Sequence, residues 1–402
     1  MATTIRRTRM RALIFLAALS FIAIAPLLRI ASALVYEPRA ECSGTCTFAH
    51  PAVAAAAAAT AAAQMGGSLS PPPPLLPPCR GHVVFRYDYG SGGYGDCIKG
   101  LVAVAQVAHA LGCPFSADFS RHPFQLALPL SADLAPPPRY ALIDEGDALF
   151  VHMGDWTTGP HRLRARDAFF ARVAVRDATL RDQGVVVVAN IPHSRELAAA
   201  TNASAAGLVA FARGVYAAFY THVVDGAKLG TLWPPAQPHA VAPFRVGVHV
   251  RMGDMFIPNA TVVGDNRNPD ADALLAALQL VGVRTRELAG GRPVVVFACA
   301  DTAAAREMVR SALAPLDVIT ALVAPVHIGY AATFAERALV EETRSVAREH
   351  YSLATADVIF VASNSGFSKT ACAIAGALKA TARCFLRAGA TWVPLEPGEG
   401  VL

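Results

Sequence analysis

From Gly81 onward the chain repeats one pattern, a short run of β-branched residues followed by a longer stretch of helical composition. The pairs are His82–Tyr87 with Ile98–Leu111, Gly184–Ala189 with Gly207–Tyr220, Arg245–Arg251 with Asp270–Ala289, Pro293–Ala300 with Thr302–Leu313, Val318–Val323 with Thr333–Ala354, and Val358–Val361 with Phe367–Leu378. Val185–Val188 and Val294–Phe297 are apolar without alternation, as expected of parallel strands covered on both faces. Strand–helix alternation of this kind predicts doubly wound α/β layers. The pattern is most regular after residue 245, whereas 112–180, rich in Pro, Arg and Asp, reads as irregular. A chain of 402 residues, 54% apolar and 16% charged, can bury a large core and divide into two or three domains. Pro234, Pro235, Pro238 and Pro243 mark a domain boundary within 232–243, and no internal repeat is visible.

The N-terminal fifth has a different texture. Residues 1–11 are cationic, and Ala12–Leu28 is a 17-residue run without a charge. A spanning helix needs about 20 apolar residues, with about 17 at the lower limit. Arginines ahead of the run would keep the N-terminus cytosolic. The run exceeds the usual h-region of a signal peptide, so a signal anchor is expected, with cleavage at Ala31-Ser32-Ala33 as the alternative. Either way the body enters the secretory pathway. Ala54–Ala63 and Pro71–Pro78 then read as a low-complexity stem. The expected organisation is a cytosolic tail and anchor over 1–35, a stem over 36–80, and folded domains over 81–240 and 241–402. The sequons Asn202-Ala-Ser204 and Asn259-Ala-Thr261 are compatible with a lumenal body.

Net charge is +5, but Arg6, Arg7, Arg9, Arg11, Arg29 and Arg39 supply the excess, against Glu37 alone in the first 40 residues. The rest is balanced at 29 cations and 29 acids, which argues against a nucleic-acid binder. The eight cysteines make no paired CxxC zinc spacing. Some would pair in an oxidising lumen, while Cys299 and Cys372, in apolar runs, read as small buried hydrophobes.

Three segments concentrate polar chemistry where strands end. In Val246–Asp254 a strand closes on His249-Val-Arg251-Met-Gly253-Asp254. Ligands of open α/β sheets bind at the carboxyl ends of strands. Arg251 offers a planar, permanently charged fork suited to phosphate, Gly253 admits close backbone approach, and Asp254 can accept from ribose or orient the arginine. The bland alternative is a strand ending in a surface ion pair, with His249 a core histidine. In Tyr89–Gly100 a glycine-rich loop, including Gly93 and Gly95, opens a helix whose amides can approach an anion. It is neither a Walker loop nor a dinucleotide fingerprint, and a plain tight turn is the alternative. Asp96 is a candidate general base, or a cap of the helix over Ile98–Leu111. In Ala356–Thr370 a buried strand runs into Ser363, Asn364, Ser365, Gly366 and Phe367 at a helix start, more polar groups than capping requires. Asp301 is a candidate for nucleotide base or ribose, or the N-cap of Thr302–Leu313. Asp270-Ala-Asp272 matches a metal-binding D-x-D but reads as a helix cap.

Taken together, His249-Val-Arg251-Met-Gly253-Asp254 resembles the H-x-R-x-G-D signature of the fucosyltransferase superfamily that makes α1,2-, α1,6- and protein O-linked fucose. Gly93-Tyr-Gly95-Asp96 with Lys99-Gly100-Leu101 resembles its N-terminal glycine motif, and Asp357–Phe367 its C-terminal motif, in the family's order over roughly residues 81–380. The resemblance implies a GT-B fold, two Rossmann-like domains facing a cleft. It further implies GDP-fucose as donor, inversion at the sugar carbon and no metal. Arg251 would hold the β-phosphate of the leaving GDP, Asp254 would orient it or contact the nucleotide, and Ser365, Gly366 and Phe367 would bind the pyrophosphate and pack near the donor. Gly95 and Asp96 would line the cleft by the sugar. The expected protein is a membrane-tethered glycosyltransferase of the Golgi or endoplasmic reticulum with a lumenal head, secreted if cleaved, acting on a glycan or glycoprotein. Rival readings are a transferase using another nucleotide sugar or an activated sulfate, and a non-catalytic tethered glycan-binding protein.

Overall fold

The computed structural model describes residues 78–88, 92–122, 124–127, 134–154, 160–191, 193–219, 229–235, 241–253, 267–268, 270–321, 336–379 and 381–395. The expected tail, anchor and cleavage site, all but the end of the stem, Asp254 and the Asn259 sequon lie outside these residues. Among the described residues no helix is long and apolar enough to cross a membrane.

The apolar runs form strands and the longer stretches between them form helices. In chain order the elements are β1 (Val83–Arg86), α1 (Tyr94–Leu111), β2 (Phe115–Asp118), α2 (Phe124–Ala127), β3 (Phe150–Met153), α3 (Pro160–Ala174), α4 (Ala178–Gln183), β4 (Val185–Ala189), α5 (Ser194–Thr201) and α6 (Ala205–Phe219). Then follow β5 (Phe244–Val250), α7 (Ala271–Ala289), β6 (Val294–Ala300), α8 (Ala303–Leu313), β7 (Asp317–Thr320), α9 (Glu336–Ala354), β8 (Val358–Val361), α10 (Gly366–Leu378), β9 (Arg383–Ala388) and β10 (Thr391–Pro394). The fold is α/β with parallel sheets, as expected.

Two sheets result, both inside the compact unit Phe48–Leu402. The first has the order β2-β1-β4-β3, all parallel. The second has the order β10-β9-β8-β5-β6-β7, parallel except for the terminal β9–β10 pair. The chain moves outward from β5 through β6 to β7, then returns to lay β8 on the other flank of β5. That reversal is a topological switch point, where the loops after neighbouring strands part and leave a crevice. The first sheet has its own reversal between β1 and β4.

One apolar cluster joins Phe85, Ile98 and Val187 of the first half to Phe297, Ile359 and Ile374 of the second. Helix α6 packs on both α1 and α10, and α1 packs on α10. Close to the expected boundary, Trp233 is buried and its indole nitrogen donates to the Ser352 carbonyl of α9 at 3.0 Å.

Several expectations need correction. The stretch read as irregular contains β2, β3 and α3. Helix α1 begins at Tyr94 rather than Ile98, because Asp96 caps it from within: its Oδ2 accepts from the Gly93 amide at 3.1 Å. Cys372 is no simple hydrophobe, for it is bonded to Cys384, and Cys79 is bonded to Cys113. Cys97 and Cys299 are free and buried.

Candidate active site

The loop leaving β5 is held almost atom by atom. The Arg251 amide donates to Ser363 Oγ at 3.0 Å, and the Arg251 carbonyl accepts from the Asn268 side-chain amide. Met252 and Gly253 donate their amides to the two oxygens of Asp301, at 2.9 and 3.0 Å. The Met252 carbonyl accepts from the Arg267 amide at 2.8 Å. Gly253 has φ +123°, a conformation that suits glycine. Asp301 is therefore a bracket for this loop. It is not the N-cap of α8, since Thr302 fills that position and accepts from Ala305 at 3.1 Å. Burial pushes the Asp301 carboxyl above its ordinary range, while the two amides pull it back.

The loop leaving β8 meets the first at the switch point. Ser363 is buried and spent on the Arg251 amide. Asn364 is exposed, and its carbonyl accepts from Arg267 Nη1 at 3.1 Å. Ser365 is the N-cap of α10, yet its hydroxyl makes no capping bond; it is fully buried and has no hydrogen-bond partner. The first amides of a helix have no partner inside it and carry the positive end of the helix dipole.

From the first sheet, the start of α1 comes to the same place. A methyl carbon on Gly95 would collide with the backbone of Gly366 and Phe367, and one on Gly366 would meet Lys99 Nζ at 2.8 Å and Asp96 Oδ1 at 3.1 Å. The first turns of α1 and α10 thus abut, backbone on backbone. Asp96 pairs with Lys99 at 2.6 Å. Lys369, in the second turn of α10, has its ammonium pushed below the ordinary range by burial and by Lys99 nearby.

Beneath this junction lies a ring cluster. His249 is 5% exposed and stacks on Phe367, with centroids 5.3 Å apart. Phe367 stands edge-on to His350 at 4.6 Å, and Tyr94 to His350 at 5.1 Å. Burial, reinforced by the Arg251 charge, drives the His249 pKa down to about 3, so its ring is neutral, and its Nδ1 has no hydrogen-bond partner. His350, pushed to about 3 mainly by burial, bonds Thr370 Oγ1 at 2.8 Å.

The structure therefore brings together Gly93, Gly95, Asp96, His249, Arg251, Gly253, Asp301, Ser363, Asn364, Ser365, Gly366 and Phe367 around the two helix starts and the β5 loop. Asp270 is elsewhere, capping α7 through the Ala273 amide at 2.9 Å, as its sequence reading had it. Sequence reasoning missed Arg267, Asn268, Arg387, His350 and Lys369. Only Lys369 had a visible signal, a cation four residues after a candidate N-cap. Among the described residues, two helix N-termini, Arg251 and two lysines gather around the carboxylates of Asp96 and Asp301, a surplus of positive charge suited to an anion. Among the described residues no group of three or more His, Cys, Asp or Glu is placed to hold a metal ion.

The chain is similar to solved fucosyltransferases. NodZ alpha-1,6-fucosyltransferase co-crystallised with GDP is 16% identical, with 79% of this chain and 98% of that chain covered and a TM-score of 0.44. A variant of Arabidopsis thaliana FUT1 in complex with GDP is 14% identical over 77% of this chain and 72% of that one, with a TM-score of 0.42. POFUT1 in complex with GDP-fucose is 11% identical over 74% and 95%, with a TM-score of 0.35. No protein-family profile and no curated protein matches the chain. Similarity this remote says nothing about individual residues, whose roles follow from their own geometry.

Proposed function

We propose that this chain is a glycosyltransferase that moves fucose from GDP-fucose to a hydroxyl of a glycan or protein, with inversion and without a metal. The observation that carries the reading is the convergence at one switch point of the Arg251 loop with the starts of α1 and α10. Breaking the bond between sugar and diphosphate leaves an oxocarbenium-like sugar and a diphosphate with new negative charge. Arg251 and the first amides of α10, with the Ser365 hydroxyl, would stabilise that charge at a place already ordered before substrate arrives. Asp96, beside Gly366 and paired with Lys99, would accept the proton of the acceptor hydroxyl. In this reading the two sheets are the halves of a GT-B fold, the first acceptor-side and the second donor-side. Asp254, outside the described residues, would orient the GDP or contact the nucleotide, as the sequence motif implies.

The two disulfides suit an oxidising lumen, which supports a secretory-pathway head tethered by the N-terminal segment or released from it. The test is thermal unfolding with nucleotides, followed by transfer of labelled fucose. GDP should raise the melting temperature by mass action, while ADP and UDP should not. Arg251→Lys should keep the fold and lose about 10²–10³ in turnover, because an ammonium cannot replace a bidentate fork. Near-normal turnover in that variant would remove Arg251 from the chemistry.

A further inference from the structure

Arg387 on β9 gives one hydrogen bond from each of its three nitrogens to the protein. Nε donates to the Ala362 carbonyl at 2.9 Å, Nη1 to the Gly389 carbonyl at 3.0 Å and Nη2 to Asn268 Oδ1 at 2.8 Å. Asn268, 3% exposed, turns its amide nitrogen to the Arg251 carbonyl. The amide orientation is dictated by its neighbours, since a guanidinium only donates and a carbonyl only accepts. A continuous chain of bonds therefore runs from β9 through Arg387 and Asn268 to the backbone of Arg251. Arg387 also grips Ala362, the residue before Ser363, which holds the Arg251 amide from the other side. Both polar groups of the Arg251 backbone are thereby referred to one guanidinium two strands away.

We infer that Asn268 and Arg387 are positioning residues that set the Arg251 side chain for the departing diphosphate. The inference rests on the donor-phosphate role proposed for Arg251. Its energetic logic is that a catalytic group displaced by about 1 Å can cost about 10² in rate. Neither residue touches substrate; each acts through Arg251.

The test uses the full-length chain and GDP-fucose transfer, with GDP-induced thermal shift measured beside it. Asn268→Asp keeps the contact to Arg387, now as an ion pair, but sets a carboxylate oxygen against the Arg251 carbonyl. It should fold with a lowered melting temperature, because the bond to the Arg251 carbonyl is lost in a buried place, and lose about 10² in kcat. In a double-mutant cycle, Arg251→Lys combined with Asn268→Asp should be no worse than Arg251→Lys alone, because the second change acts only through the first. If Asn268→Asp does not fold, Arg387→Lys takes its place in the cycle, since one ammonium cannot span three acceptors. Unchanged kcat, or losses that multiply in the double variant, would overturn the inference. A wild-type chain that neither binds GDP nor turns over GDP-fucose would instead sink the donor reading, and this inference with it.

Discussion

A methyl group on Gly95 would stand 2.6 Å from the carbonyl carbon of Gly366 and 2.7 Å from the Cα of Phe367, distances at which backbone must move. A methyl on Gly366 would meet Lys99 Cε and Nζ at 2.9 and 2.8 Å, the far end of a flexible side chain. The two glycines occupy the same junction with unequal tolerance. Gly95→Ala should destabilise by about 1–3 kcal/mol, the usual penalty of overpacking, and should weaken GDP protection. Gly366→Ala should cost less, because Lys99 can turn aside. Thermal unfolding of the two variants decides this, and a neutral Gly95→Ala would mean that α1 and α10 do not touch. Asp96 can be tested without disturbing the cap. Asn in its place still accepts from the Gly93 amide, so Asp96→Asn should leave the helix start intact while losing about 10²–10⁴ in turnover if the carboxylate takes the acceptor proton. Retained turnover would reduce Asp96 to its capping bond and its pairing with Lys99.

At the scale of elements, α10 is the busiest. Its start forms the site, its body packs against α1, α6 and α9, and its Cys372 is bonded to Cys384 on β9, twelve residues on. β9 also carries Arg387, so the disulfide ties the helix to the strand that braces the Arg251 loop. Cys372→Ala with Cys384→Ala should cost about 2–4 kcal/mol of stability, seen as a lower denaturation midpoint than wild type. An unchanged midpoint would show that packing alone seats α10. The elements around the site were largely legible because their strands are buried on both faces, leaving uninterrupted runs such as Val358–Val361. The glycine junction, Arg251 and the serine loop were legible for a related reason, since local composition at strand ends marks them. β2 and β3 were missed because four-residue strands among prolines and charges carry too little pattern. Arg387 and Asn268 were missed for a different reason. They lie 119 residues apart, and nothing local to either announces a bond made across the sheet.

Across the whole molecule, the buried histidines give stability a direction with pH. His249 and His350 are driven to about 3 and His122 to about 4, in each case chiefly by burial, against 6.5 for an unburied ring. Between these values and pH 6.5 the unfolded chain binds protons that the fold refuses. Stability therefore rises with pH across that window and falls as pH drops below 6.5. Asp301 and Glu349 work in the opposite sense. Burial lifts both carboxyls, so the fold holds their protons where the unfolded chain has released them, and acidification relieves part of that cost. The histidine loss begins near 6.5, and with three rings driven down to about 3 to 4 the expected first effect of acidification from neutrality is destabilisation. The melting temperature should fall from pH 7 toward pH 5. His249→Phe, which keeps a ring against Phe367 without a titrating nitrogen, should make that fall shallower. A pH dependence identical to wild type would mean that His249 is protonated in the fold, and that the neutral ring beneath Arg251 has been misassigned.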